Sequence, residues 1–211
     1  MQQTDEASAV AAHRVVAPRS VIVIGAGSGG PAALANVIPK LPSSFSAAAV
    51  VLQQMRPGFI RLLASYLSNM SGIQIEEAQQ RQALKPSQAL IAPGCHGLTI
   101  SRTEAADKPF MIRLEDQTDS VAKTRSRIDA AMKSAAELFG PQAIGVLLTG
   151  AGSDGRDGMK AIRDAGGVTI AQDQDSSLLF DMPRAAIEAG VVDEVLPLWS
   201  ISDRLMELMG E

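Results

Sequence analysis

The chain has 211 residues, 46% hydrophobic and 20% charged, a balance that supports a sizeable buried core and excludes a disordered or fibrous chain. Nineteen Lys and Arg against 23 Asp and Glu leave a formal net charge of −4, and aromatic residues make up only 3%; this argues against nucleic acid or an anionic membrane as the main partner. The single cysteine, Cys95, rules out an internal disulfide and fits a reducing compartment, and no apolar run approaches the roughly 18 residues of a membrane span, so a cytoplasmic location is expected.

Residues 1–19 are small, mixed and without strong period, and are read as a flexible arm before one domain over 20–211. "VIVIG" from Val21 is a short β-branched run closed by Gly25, the pattern of a strand buried on both faces. "AGSGGPAALANVI" follows, with Pro31 suited to a first helical turn and Leu34, Val37 and Ile38 at helical spacing. Ala47 to Gln54 predicts a second strand, followed by a helix presenting Phe59, Leu62, Leu63 and Tyr66 on one face. "ALIAPG", "GLTISR" and "PFMIRLED" are shorter strand candidates with no helix between them, so hairpins or an antiparallel edge are expected.

Helical period returns from Arg127 to Phe139, then "AIGVLLTG" predicts a core strand, "AGSDG" a turn, Arg156 to Ala165 a helix and "GVTIAQ" a strand. Pro183 to Ala189 and Ile201 to Met209 read as helices. This alternation predicts an α/β fold, a doubly wound and mostly parallel sheet with helices on both faces and a short antiparallel element. Chemistry in such a sheet sits at the carboxyl ends of the strands. That singles out the loops Gly25 to Gly30, Gln53 to Pro57, Pro93 to Gly97 and Gly150 to Gly155.

Two of these loops carry patterns with more than one meaning. Gly25, Gly27 and Gly30 satisfy G-x-G-x-x-G between a strand and a helix, which suits a nucleotide pyrophosphate or, equally, a sharp turn with close helix packing. The second strand ends in Gln53 and Gln54, without the carboxylate that a dinucleotide ribose calls for. Asp154 stands among four glycines, placed either to orient an imidazole or to cap the helix starting near Arg156.

The segments "VIGAGSGGPAAL", "VVLQQMRPGF", "ALIAPG", "IGVLLTGAGSDGRDGM", "GVTIAQDQDSSLLFDMP" and "AAIEAGVVDEVLPL" together resemble the catalytic domain of the chemotaxis receptor methylesterase (CheB) family. The resemblance runs in order from about Val21 to Ile201. It implies hydrolysis of glutamyl methyl esters on chemoreceptors, glutamine deamidation in many members, a Ser-His-Asp triad, and no cofactor or metal. It also implies an N-terminal receiver domain, for which the stretch before Ser20 is too short.

Carried over by position, the family's G-A-S-T-G-G-P nucleophile motif falls on Gly25 to Pro31 and places Gly27 at the serine. The Q-H-M step falls on Gln53, Gln54 and Met55, with Gln54 at the base histidine. Asp154 retains the acid of the G-M-G-x-D-G turn, whose Met is Ala151 here. Ala151 and Met182, in the "FDMP" segment, are expected in the cleft.

A serine hydrolase needs a hydroxyl and a base, and losing the pair typically removes on the order of 10⁶ of the rate. The sequence therefore predicts an inactive domain that binds receptors or signalling partners. The alternatives are a methylesterase or deamidase working through Ser28, His96 and Asp154, and, more remotely, a nucleotide-binding module. A Cys95–His96 nucleophile pair is disfavoured because sequence neighbours rarely form such a pair. Restoring Ser at 27 and His at 54 is expected to recover some activity.

Overall fold

The computed structural model describes residues 17–56, 58–94, 96–104, 109–115 and 127–210. Most of the expected arm, Pro57, Cys95 and residues 116–126 lie outside them. Seven strands form one parallel sheet in the order β3-β4-β2-β1-β7-β8-β9: β1 (Val21–Ala26), β2 (Ala48–Gln53), β3 (Gln74–Glu77), β4 (Gln88–Ile91), β7 (Ala143–Leu147), β8 (Val168–Gln172) and β9 (Glu194–Leu196). Both neighbours of β1 pair with it in parallel, Val21 opposite Ala48 on one side and Ala143 on the other.

The central strands read as continuous apolar runs because both of their faces are covered. Every residue of β1, β2 and β7 is buried. Alternation sends Ile22 and Ile24 to one face and Val21 and Val23 to the other. On the first face pack α1 (Gly30–Val37), α2 (Phe59–Ser68) and α6 (Leu198–Met209), through Leu34, Leu63 and Leu205 among others. On the second face pack α3 (Arg127–Phe139), α4 (Arg156–Asp164) and α5 (Asp181–Glu188), through Met132, Met159 and Met182.

The expected antiparallel element exists as β5 (Gly97–Arg102) and β6 (Phe110–Glu115), paired in a separate two-stranded sheet. It is fastened to α3 where the Ile100 amide donates to Ser134 Oγ at 3.0 Å. "ALIAPG" departs from the expectation: as β4 it is an interior parallel strand between β3 and β2. Edge strands β3 and β9 were not expected, because "QIEE" and "EVL" carry neither an apolar run nor a clean alternation.

Helix α2 buries a stripe one residue along from the expected one. Ile60, Leu63, Ala64 and Leu67 face the core, whereas Phe59, Leu62 and Tyr66 are 55%, 65% and 57% exposed. Both stripes obey the same i, i+3, i+4, i+7 spacing, so periodicity alone does not separate them.

Helices α3 and α4 approach closely at Gly158. A Cβ there would stand 2.6 Å from Met132 Cβ and 2.9 Å from Asp129 Cα. Gly158→Ala is therefore expected to lower stability by about 1–3 kcal/mol through overpacking, despite alanine's better helix propensity. Chemical denaturation of the two proteins side by side measures the loss.

Candidate functional site

The chain leaves β1 towards β2 and leaves β7 towards the opposite edge, through helices on opposite faces. The crevice beyond the ends of these two strands is the sheet's switch point, where ligands bind in folds of this kind. Gly27 and Asp154, from the loops after β1 and β7, both lie here.

At Gly27 the two loops touch. The Gly27 amide donates to the Thr149 carbonyl at 2.9 Å, and a Cβ on Gly27 would stand 2.9 Å from Gly150 Cα and 3.4 Å from Met182 Sδ. Met182 is fully buried, and its Sδ occupies the space where a Cβ on Gly150 would be. Backbone bonds hold this arrangement, the Gly150 amide donating to the Leu179 carbonyl at 2.8 Å and the Met182 amide to the Gly150 carbonyl at 3.0 Å. Met182 thus packs against the contact between the two loops, while Ala151 is exposed.

Gln53 ties the first turn to the second. Its Nε2 donates to the Gly27 carbonyl and to the Gln54 carbonyl, each at 2.9 Å. Its Oε1 occupies the space where a Cβ on Gly30 would be. The G-x-G-x-x-G notch therefore receives an internal amide where a pyrophosphate would have to approach, and the Gly30 amide is itself bonded to the Gly27 carbonyl. Gln54 is exposed, as is Ser28, whose carbonyl accepts the Thr149 hydroxyl at 3.0 Å.

Asp154 is buried, 7% exposed, and it does not cap α4. Its Oδ2 accepts the Ile128 amide and its Oδ1 the Asp129 amide, both at 3.1 Å, so it closes the N-terminus of α3. Asp129 in turn accepts the Gly155 and Gly158 amides of the α4 N-terminus at 3.0 and 2.7 Å. Burial pushes the Asp154 carboxyl above its ordinary value against the lowering effect of the amides from Ile128 and Asp129, and the nearby Asp129 charge pushes the same way as burial. The neutral amide of Gln54 supplies no cation to offset this.

Gln53, Gln54, His96, Arg127 and Asp154 share a small cavity of about 10 Å³, room for one water at most. His96 is a half-buried wall of it. Arg127 anchors the loop after β4 by donating to the Gly94 carbonyl at 2.9 Å. Ser28 is not among the residues lining this cavity. The proposed substitute set thus has two members together and the third on the outer turn. Among the described residues, no three His, Cys, Asp or Glu side chains come together to hold a metal.

Sequence reasoning missed Gln53, Asp129 and Thr149 as organisers of the site. Asp129 alone carried a signal, an acid in the first turn of a helix amid buried positions. Thr149 is 2% exposed, and its hydroxyl oxygen also accepts the Leu179 amide at 2.9 Å; nothing in a lone threonine announces that.

Fold and site together define a doubly wound α/β domain with a crevice at its switch point and a buried acid on its wall. Residues 22–205 match the family model described as CheB methylesterase, and the chain belongs to that family. It is 41% identical over 187 residues to a protein-glutamate methylesterase/protein-glutamine glutaminase of Carboxydothermus hydrogenoformans, covering 89% of this chain and 54% of that protein. A Symbiobacterium thermophilum protein of the same description is 38% identical over 194 residues, covering 92% and 52%. The chain spans about half the length of these curated relatives. The crystal structure of the Thermotoga maritima CheB methylesterase catalytic domain superposes with a TM-score of 0.83 at 35% identity, covering 92% of this chain and all of that one.

Because the folded Asp154 carboxyl titrates above its unfolded counterpart, the fold favours its neutral form. Its contribution to stability is full below the unfolded value and is lost as pH rises through the folded one. Wild type is therefore expected to gain stability relative to Asp154→Asn as pH falls through the carboxylate range, which denaturation at a series of pH values measures. A second expectation concerns Gly30→Ala, whose methyl meets the Gln53 amide. It should cost more stability in wild type than in a Gln53→Ala background, as read from a double-mutant cycle.

Proposed function

We propose that this domain acts in a bacterial chemosensory system by binding chemoreceptors or signalling partners, without hydrolysing methyl esters. The observation that carries this reading is the contact at Gly27. The nucleophile position lacks a hydroxyl, and the space for any side chain there is taken by Gly150. Gln54 at the base position has an amide that does not take up a proton near neutral pH. The names of the relatives describe action on protein glutamate and glutamine, which makes a receptor segment carrying those residues the partner we assign. No helix among the described residues is long and apolar enough to cross a membrane. A cytoplasmic location, and one domain over 20–211 preceded by an arm, belong to the same proposal.

A second reading, turnover through Ser28, His96 and Asp154, is favoured by the cavity that His96 and Asp154 share. The outward position of Ser28 weighs against it, since nucleophile and base must come within ~2.6–3.2 Å.

The test is methanol and ammonia release from methylated chemoreceptor membranes by the purified chain, alongside co-sedimentation with the same membranes. The expected outcome is saturable sedimentation with no release above the protein-free rate. Release that disappears in Ser28→Ala or His96→Ala overturns the proposal. The double variant Gly27→Ser, Gln54→His tests the closed slot. The sequence suggests partial recovery, but a Cβ 2.9 Å from Gly150 Cα requires backbone movement. The expectation is a folded protein, by circular dichroism, with no release above the parent.

A further inference from the structure

Asp129 and Asp154 are each 7% exposed, and each sits at the start of the helix the other one caps. Asp154 accepts the first amides of α3, Ile128 and Asp129; Asp129 accepts amides of Gly155 and Gly158 at the start of α4. Helix α4 begins at left-handed Gly155, which has no side chain to cap with. Two links of this set close a ring. The Asp129 amide donates to the Asp154 carboxylate, and the amide of Gly155, next in the chain after Asp154, donates to the Asp129 carboxylate. If Asp154 turns away the start of α3 loses these acceptors, and if Asp129 turns away the start of α4 does.

We propose that this pair is a reciprocal latch in which Asp129 is the positioning residue that holds Asp154 and the turn carrying it. Each carboxyl faces a helix N-terminus, whose amide donors and dipole offset part of the cost of burying it beside the other. Other charged or titratable groups bear on the latch without replacing it. Arg127 and His96 share the cavity with Asp154, the Arg127 guanidinium donates to the Gly94 carbonyl, Arg156 on α4 feels the Asp129 charge, and Lys133 on α3 feels that of Asp157. Among the described residues, both carboxylates accept backbone amides, those of Ile128 and Asp129 on Asp154 and those of Gly155 and Gly158 on Asp129.

The latch gives Asp154 a task that needs no imidazole, which accounts for an acid at a position where its usual partner is Gln54. It stands whether or not the domain turns over an ester. It also makes the helix pair and the site turn one mechanical unit, clamped further by the close approach at Gly158.

The experiment is residue-resolved amide exchange on the full chain, with Val23 in β1 as the reference for global opening, together with a carboxyl carbon titration. In Asp129→Ala, the Gly155 and Gly158 amides should exchange at least ~10-fold faster than in wild type relative to Val23. The Ile128 amide, which Asp129 does not touch, should accelerate as well; Asp154→Ala should show the mirror pattern. The melting temperature should fall by roughly 3–8 °C in each single variant, and in the double variant by less than the sum. Acceleration confined to the amides each residue itself accepts, with additive losses, overturns the latch. Asp129→Asn keeps an oxygen acceptor while removing the charge, and covers the case in which an alanine variant does not fold. The Asp154 midpoint should move down in it, and an unmoved midpoint overturns the proposal.

Discussion

The contact between two backbone turns, Gly27 after β1 and Gly150 after β7, sets what this crevice can hold. Adjacent parallel strands bring their loops together at the carboxyl end, and with helices leaving to opposite faces those loops form the two lips of the site. Here the lips touch: the Gly27 amide bonds the Thr149 carbonyl, Met182 packs against the contact, and no Cβ fits between them. A glycine at 27 permits this approach; a Cβ there would stand 2.9 Å from Gly150 Cα, so any larger residue requires the loop after β7 to move.

The remaining loops are fastened to these lips by side-chain amides and carboxylates. Gln53 bridges the turns after β1 and β2. Thr149 and Gln172 join the turns after β7 and β8, the Thr149 amide donating to Gln172 Oε1 at 2.8 Å. Asp154 and Asp129 join the turn after β7 to α3. Buried polar groups are costly unless bonded, so bonds of this kind fix loop positions tightly. A surface held in this way loses little further conformational entropy when a ligand meets it.

How much of this was legible in the sequence depends on whether the signal was local. The runs in β1, β2, β7 and β8 and the helical period of α3 are local, and their elements formed where expected. The core stripe of α2 was not legible, because "FIRLLASYL" satisfies the helical period in two registers and only the sheet beneath selects one. Strands β3 and β9 escaped because edge strands bury too little to show a pattern. In the site, the loops at strand ends were legible and the family resemblance pointed to Gly27, Gln54 and Asp154 within them, but the contacts these residues make were not. The cap of Asp154 reaches amides 25 and 26 positions away, and no spacing rule anticipates that.

The glycine pattern of the first loop shows why a motif needs its surroundings. G-x-G-x-x-G implies bare backbone at three positions, and bare backbone serves any group that must come close: a phosphate, a neighbouring turn or a side-chain amide. In this chain the occupants are identifiable. Gly27 receives the Gly150 backbone and Gly30 receives the Gln53 amide. A pyrophosphate would have to displace a buried amide that bonds two carbonyls and would find the Gly27 and Gly30 amides already donating to protein oxygens. Two of the three glycines that on paper suit a nucleotide, Gly27 and Gly30, thus serve in the fold to draw the loops of the crevice together.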